Sequence, residues 1–240
     1  MFGFTGPTQY DLRFSLFGIP IYVNPFFWVM GAIMGWGVVS APGRGPLFLI
    51  NWMLCLFVSI LIHELGHALF AKKFGWPPQI FLYHMGGLAV YQPYSGHTTG
   101  RNITISFAGP AVGFLFYGII LACEWVLVFS PDPLIWKLNL SKNAIQHIGF
   151  AIYQLKFINL YWGLINLLPV LPLDGGRISE TLCDKYIKYR GKEWAAKIGM
   201  AFAGLAAAYF FMNQHSYPGF LFAYLCYINF NNLQRIQQGY

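Results

Sequence analysis

Long apolar runs alternate with short polar ones along the chain, and the runs set the first expectation. A run of about 17–25 apolar residues can cross a bilayer as a helix. Six candidates stand out: Ile21–Val39, Leu47–Phe70, Ile103–Phe129, Ile148–Leu168, Ala195–Phe211 and a shorter Tyr217–Phe230. Between the second and third, Gln79–Met85 and Leu88–Gln92 flank Gly86-Gly87, the pattern of a hairpin turning at a glycine pair. Leu12–Val23, with Gly18 and Pro20 inside it, adds one or two further strands. The expectation is an all-α polytopic membrane protein of about six transmembrane helices. A small membrane-associated β-hairpin or sheet lies between helices 2 and 3 and near the N-terminus. No internal repeat or long linker interrupts the pattern, so residues 1–240 read as a single domain, with a core over 12–180 and C-terminal helices over 195–230.

Composition sharpens this picture. Hydrophobic residues make up 57% and charged residues 10%, where a soluble domain carries about 25% charged residues. Mean hydropathy is +0.50. Aromatics at 19% suit the belts at membrane–water interfaces. Met1–Pro20 lacks a basic, then apolar, then small-residue order, so no cleavable signal is expected. The four scattered cysteines, Cys55, Cys123, Cys183 and Cys226, read as small apolar residues rather than ligands.

The net charge of +7 is explained by its distribution. With the N-terminus on side one of six crossings, that side receives Arg13, Lys72, Lys73, Arg101, Arg177, Lys185, Lys188, Arg190, Lys192, Lys197 and Arg235. The other side receives Arg44, Lys137 and Lys142, and Lys156 falls within a span. Basic residues concentrate on the cytoplasmic side, so the N-terminus and side one are expected in the cytoplasm of a multi-pass protein of the cell membrane. A nucleic-acid partner becomes unnecessary; the lipid bilayer is the expected surrounding.

The chemistry begins with His63-Glu64-Leu65-Gly66-His67 inside the second run. Histidines four apart share one helix face and can hold one zinc ion, with the intervening glutamate as general base. Two structural histidines at a helix end would look similar, but ionisable groups inside a span are costly and point to function. Catalytic zinc takes three protein ligands and keeps one open position. Glu124 sits near the far end of the third span and is expected to reach outward to the interface. Asp174, after Asn166-Leu167-Leu168-Pro169-Val170-Leu171-Pro172-Leu173, is the better third ligand. The second and fourth spans run in one direction, which puts it at the depth of the histidines. Pro169 and Pro172 stop the helix, and Gly175-Gly176 let the backbone turn. Asp174 as a mere cap of the following helix remains the competing reading.

These motifs together resemble the site-2 protease family of intramembrane zinc metalloproteases. Ala108-Gly109-Pro110 and the Gly86-Gly87 hairpin resemble it too, and the likeness runs roughly from Leu12 to Glu180. The resemblance implies His63, His67 and Asp174 as zinc ligands, Glu64 as catalytic acid/base, and a helical core of spans two to four. The larger members' PDZ and CBS domains are not expected here, so a regulatory membrane partner, or prior trimming of the substrate itself, is expected to take their role. Asn166 is a candidate oxyanion donor, balanced against a helix-packing role; Asn159 reads as packing. The hairpin, with His84, Gly86 and Gly87, is a candidate surface for an unwound membrane segment of a protein substrate. Gly109 and Gly113 read as a small-residue packing face. His97, His147 and His215 are assigned nothing. A non-cleaving zinc scaffold and a metal transporter are the alternatives, and a diiron oxidase lacks enough ligands.

Overall fold

The computed structural model describes residues 6–238 except 42, 85, 94, 95 and 97; Met85 of the expected hairpin and His97 therefore lie outside the described residues. In chain order the elements are strands β1 (Leu12–Leu16) and β2 (Ile19–Val23), then helices α1 (Pro25–Met34), α2 (Trp36–Val39) and α3 (Pro46–Lys73). Strands β3 (Pro78–Tyr83) and β4 (Gly86–Tyr91) follow, then α4 (Thr99–Glu124), which continues as a π-helical turn over Trp125–Phe129. The chain closes with α5 (Leu134–Lys137), α6 (Lys142–Asn166), α7 (Asp174–Tyr186), α8 (Gly191–Met212) and α9 (Ser216–Gln237). Two compact units divide them: residues 1–93 with 111–163, and 94–110 with 164–240.

In the first unit the strands form one sheet in the order β1-β2-β3-β4. β1 and β2 are antiparallel, with Leu16 opposite Ile19. The two residues between them, Phe17 and Gly18, both have positive φ (53° and 69°), as a tight hairpin turn whose twist matches its strands requires. Lys72 donates to the Phe17 carbonyl at 2.6 Å and ties this turn to the end of α3. β2 runs parallel to β3, and β3 antiparallel to β4. Ile19, Ile21 and Val23 alternate inward and join Ile80, Leu82 and Ala89 in a core with Leu56, Ile60, Leu61, Leu65 and Ala68 of α3. The sheet thus packs against the second half of α3, beside Glu64 of the histidine motif.

Two expectations are corrected here. The apolar run Ile21–Val39 is not one helix: Ile21–Val23 finish β2, Asn24 caps α1 by accepting from the Phe26 amide at 3.0 Å, and Pro25 occupies its first turn. At 1.5 Å per residue, ten residues reach only about 15 Å, half the hydrocarbon core. The β3–β4 turn also falls earlier than the glycine pair, because Tyr83 already pairs with Gly86. Gly86 instead opens β4 at φ 115°.

Among the described residues, four helices are long and apolar enough to cross a membrane: α3, α4 with its π-helical extension, α6 and α8. α9 has 22 residues, but Asn229, Asn231, Asn232, Gln234 and Arg235 make its second half polar. Among the described residues these four are supported, and the six crossings expected are not confirmed. Within the first unit α4 and α6 are joined by an ion pair rather than by apolar contact alone. Lys156 Nζ lies 2.7 and 2.6 Å from the two Glu124 oxygens. Glu124 therefore turns to a partner on α6 instead of reaching out to the interface. A Cβ on Gly113 would come within 3.9 Å of Asn159 Oδ1, in keeping with a packing role for Gly113. Asn159 donates to Ser59 of α3 at 2.9 Å, the packing role expected of it.

The second unit holds a smaller core of Val170, Ala203, Ala207, Phe222, Leu225 and Ile228. It lies between the antiparallel pair α8–α9 and the irregular segment 167–173 that leads into α7.

Candidate metal centre

His63, Glu64 and His67 lie in the second half of α3 and are all buried, with 3%, 6% and 7% of their surface exposed. The four-residue spacing brings the imidazoles together, as helix geometry requires: Nε2 of His67 is 3.1 Å from Nε2 of His63. Zinc–nitrogen bonds of about 2.0–2.1 Å put two ligands of a tetrahedral ion about 3.3–3.4 Å apart. Two ring nitrogens at nearly that separation are spaced as two ligands of one ion would be.

Asp174 is the first residue of α7, buried to 9% exposure. The N-cap position is Leu173, which makes no side-chain cap bond, and Asp174 follows it in the first turn. A carboxylate in the first turn is favoured by the helix dipole. The glycines behind it are required by close approach: a Cβ on Gly175 would lie 2.2 Å from the Leu167 carbonyl oxygen, and one on Gly176 2.5 Å from the Leu171 nitrogen. The start of α7 is thus pressed directly onto the Leu167–Leu171 backbone. Among the described residues, His63, His67 and Asp174 form a group whose ligand atoms lie within 4.8 Å of one another. Two imidazoles and one carboxylate make a donor set of the kind catalytic zinc uses.

The other expected residues fall in different places. A Cβ on Gly87 would lie 2.4 Å from Glu64 Cγ and 2.6 Å from its Oε1, so β4 runs directly over the Glu64 carboxylate. Gly86 faces the Trp162 ring, 3.4 Å from where its Cβ would be. His84 is exposed on the turn, edge-on to Tyr83 with ring centroids 5.4 Å apart. Asn166 is buried as the last residue of α6. Asn229 of α9, fully buried, was missed from the sequence: its Nδ2 donates to the Leu171 carbonyl at 2.8 Å, and its Oδ1 accepts from the Leu171 amide at 3.3 Å. Asn229 stands where α9 turns polar and announces no partner 58 residues away, so only the fold reveals this one.

A buried imidazole pair and carboxylate on a chain of apolar helices fit a membrane metalloprotein. Comparison with known proteins narrows the class. Residues 51–206 match peptidase family M50. The chain is 32% identical over 201 residues to zinc metalloprotease MJ0392 of Methanocaldococcus jannaschii, covering 81% of this chain and 52% of that protein. It is 30% identical over 173 residues to stage IV sporulation protein FB of Bacillus subtilis, covering 72% and 50%. The fold superimposes on a solved site-2 protease from Methanocaldococcus jannaschii with a TM-score of 0.62 at 25% identity, covering 93% of this chain and 95% of that one. This chain belongs to peptidase family M50, the site-2 protease family of zinc metalloproteases. It spans about half the length of the curated relatives it matches.

Proposed function

We propose that this protein is an intramembrane zinc metalloendopeptidase that hydrolyses peptide bonds in or near the transmembrane segments of other membrane proteins. His63, His67 and Asp174 hold the zinc, which when bound supplies Lewis acidity toward water and a peptide carbonyl. Glu64 takes the proton of the attacking water and returns it to the leaving amine. Asn166 donates to the oxyanion without adding charge. Its backbone opened, the substrate segment adds to the edge of β4 beside Gly86 and Gly87, with His84 at the turn.

The observation that carries this reading is the contact of Gly87 with Glu64. β4 ends the sheet, and an edge strand lying over a buried base is where an extended peptide would meet that base. A helical substrate has no exposed backbone to attack, so an edge strand beside the base supplies what the chemistry needs.

Cytoplasmic placement of the site is supported by charge around the four long helices alone. The α3–α4 and α6–α8 connections share one side and hold Lys72, Lys73, Arg101, Arg177, Lys185, Lys188, Arg190 and Lys192. The α4–α6 connection holds Lys137 and Lys142. By the positive-inside rule the first group faces the cytoplasm, and a regulatory membrane partner would meet the protein there or within the bilayer.

The test is co-expression with single-span membrane proteins, comparing the native chain with Glu64→Gln, together with zinc removal and reloading of the purified protein. The expected result is a zinc-dependent product that Glu64→Gln abolishes while retaining zinc. Equal cleavage by both variants would remove the reading.

A further inference from the structure

Asp174 is carried on a segment with almost no regular structure of its own. Residues 167–173 lie between the end of α6 and the start of α7 and are held at their ends: Leu167 N and Leu168 N donate to Leu164 O and Ile165 O at 3.2 and 3.0 Å, Val170 N to Leu168 O at 2.7 Å, Leu173 N to Val170 O at 2.9 Å, and Leu173 O accepts from Arg177 N at 3.1 Å. The Leu171 amide and carbonyl are satisfied instead by one side chain. Asn229 accepts from the first at 3.3 Å and donates to the second at 2.8 Å. The amide imitates a paired strand residue, gripping both polar groups of a single peptide position.

Three features fix that amide. Its second Nδ2 proton goes to the Leu225 carbonyl at 2.8 Å on its own helix, so a flipped amide would lose both donor bonds. Asn229 is 0% exposed, and no water can take over. Gly199 of α8 leaves the space for it, because a Cβ there would lie 2.3 Å from Asn229 Oδ1. The grip also reaches the start of α7, since Gly176 rests on the Val170–Leu171 backbone it holds. Leu171 is thus fixed from one side by α9 while it supports the first turn of α7 from the other.

We propose that Asn229 is a positioning residue for Asp174, holding its carboxylate in the orientation that completes the metal site. This builds on the reading of Asp174 as a zinc ligand. Loss of an outer partner of a metal ligand typically costs about 10–100-fold in metal affinity, and the same is expected of Asn229→Ala.

The experiment measures the zinc dissociation constant of the full chain in detergent by competition with a chelator, and records the visible spectrum of the cobalt-loaded protein. Native protein, Asn229→Ala, Asp174→Asn and the double variant are compared. Asn229→Ala is expected to bind zinc about 10–100-fold more weakly with an altered cobalt spectrum. In the double variant it should add no further loss, whereas a residue that merely stabilises the fold would add its loss again. Native-like zinc affinity and spectrum in a folded Asn229→Ala overturn the proposal, as does full additivity. If Asn229→Ala does not fold, Gly199→Ala displaces the amide without removing it, and native affinity in that variant is equally fatal. Native affinity in Asp174→Asn would instead sink the ligand reading itself, so the two failures are distinguishable.

Discussion

Gly87→Ala tests whether the sheet positions Glu64, the proposed base. The added Cβ would fall 2.4 Å from Glu64 Cγ, 2.6 Å from Oε1 and 2.7 Å from Cδ. Unstrained carbon–carbon contacts lie at about 3.5–4.0 Å, so one partner must yield by about 1 Å. β4 is pinned by its pairing with β3, Gly87 opposite Leu82 and Gly86 opposite Tyr83. Glu64 is buried on a helix whose apolar neighbours pack under the same sheet, so the carboxylate is the group that moves. Displacing a reacting group by about 1 Å costs on the order of 10²-fold in rate, or about 2.7 kcal/mol of barrier. The backbone is not the cause, because Gly87 is absent from the positive-φ glycines. With purified protein and a single-span substrate, kcat should fall about 10²-fold while zinc content by mass spectrometry stays native. Gly118→Ala, whose Cβ meets nothing within 4 Å, is the control and should leave kcat unchanged. Native kcat in Gly87→Ala would refute the reasoning that β4 sets the position of Glu64.

Lys156→Met should lower stability by about 2 kcal/mol, below the range for fully buried pairs, since it strands the Glu124 carboxylate at 19% exposure. Thermal unfolding in detergent should show most of that loss recovered in Lys156→Met/Glu124→Leu, and no recovery would mean that the pair is not what joins α4 and α6. Burial raises the Glu180 carboxyl above its ordinary 4.5, opposed by Lys192 and assisted by Asp184. The fold therefore binds an extra proton between 4.5 and the raised value, and this contribution to stability declines as pH rises through that window. Glu180→Gln should flatten that part of the stability–pH curve, and an unchanged slope would contradict it.

How much of this was legible in sequence varied with the kind of signal. The histidine spacing fixed its own outcome, because a four-residue interval on a helix leaves the two rings nowhere else to point. Pro169, Pro172 and Gly175-Gly176 likewise announced a broken backbone before Asp174, and the close approach of α7 to that backbone gives the reason. The run Ile21–Val39 misled because apolar character alone cannot separate a buried strand from a helix. Asn24-Pro25, a cap followed by a first-turn proline, was the available signal for the boundary. The hairpin turn was displaced because Gly87 serves a contact with Glu64, which local turn chemistry cannot express. Pairings such as Glu124 with Lys156 and Asn229 with Leu171 span 32 and 58 residues, and no periodicity encodes them.

The parallel pairing of β2 with β3 has a consequence for how the protein is made. Val23 meets Leu82 only after the intervening chain, α3 included, has been synthesised. The strand that lies over Glu64 follows later still, and Asp174 later again. At about 5–20 residues per second, a ribosome that has finished His67 needs roughly 5–20 s to reach Asp174. During that interval the growing chain holds two of the three candidate ligands. The third candidate ligand is thus supplied only after the first three of the four long helices have been made.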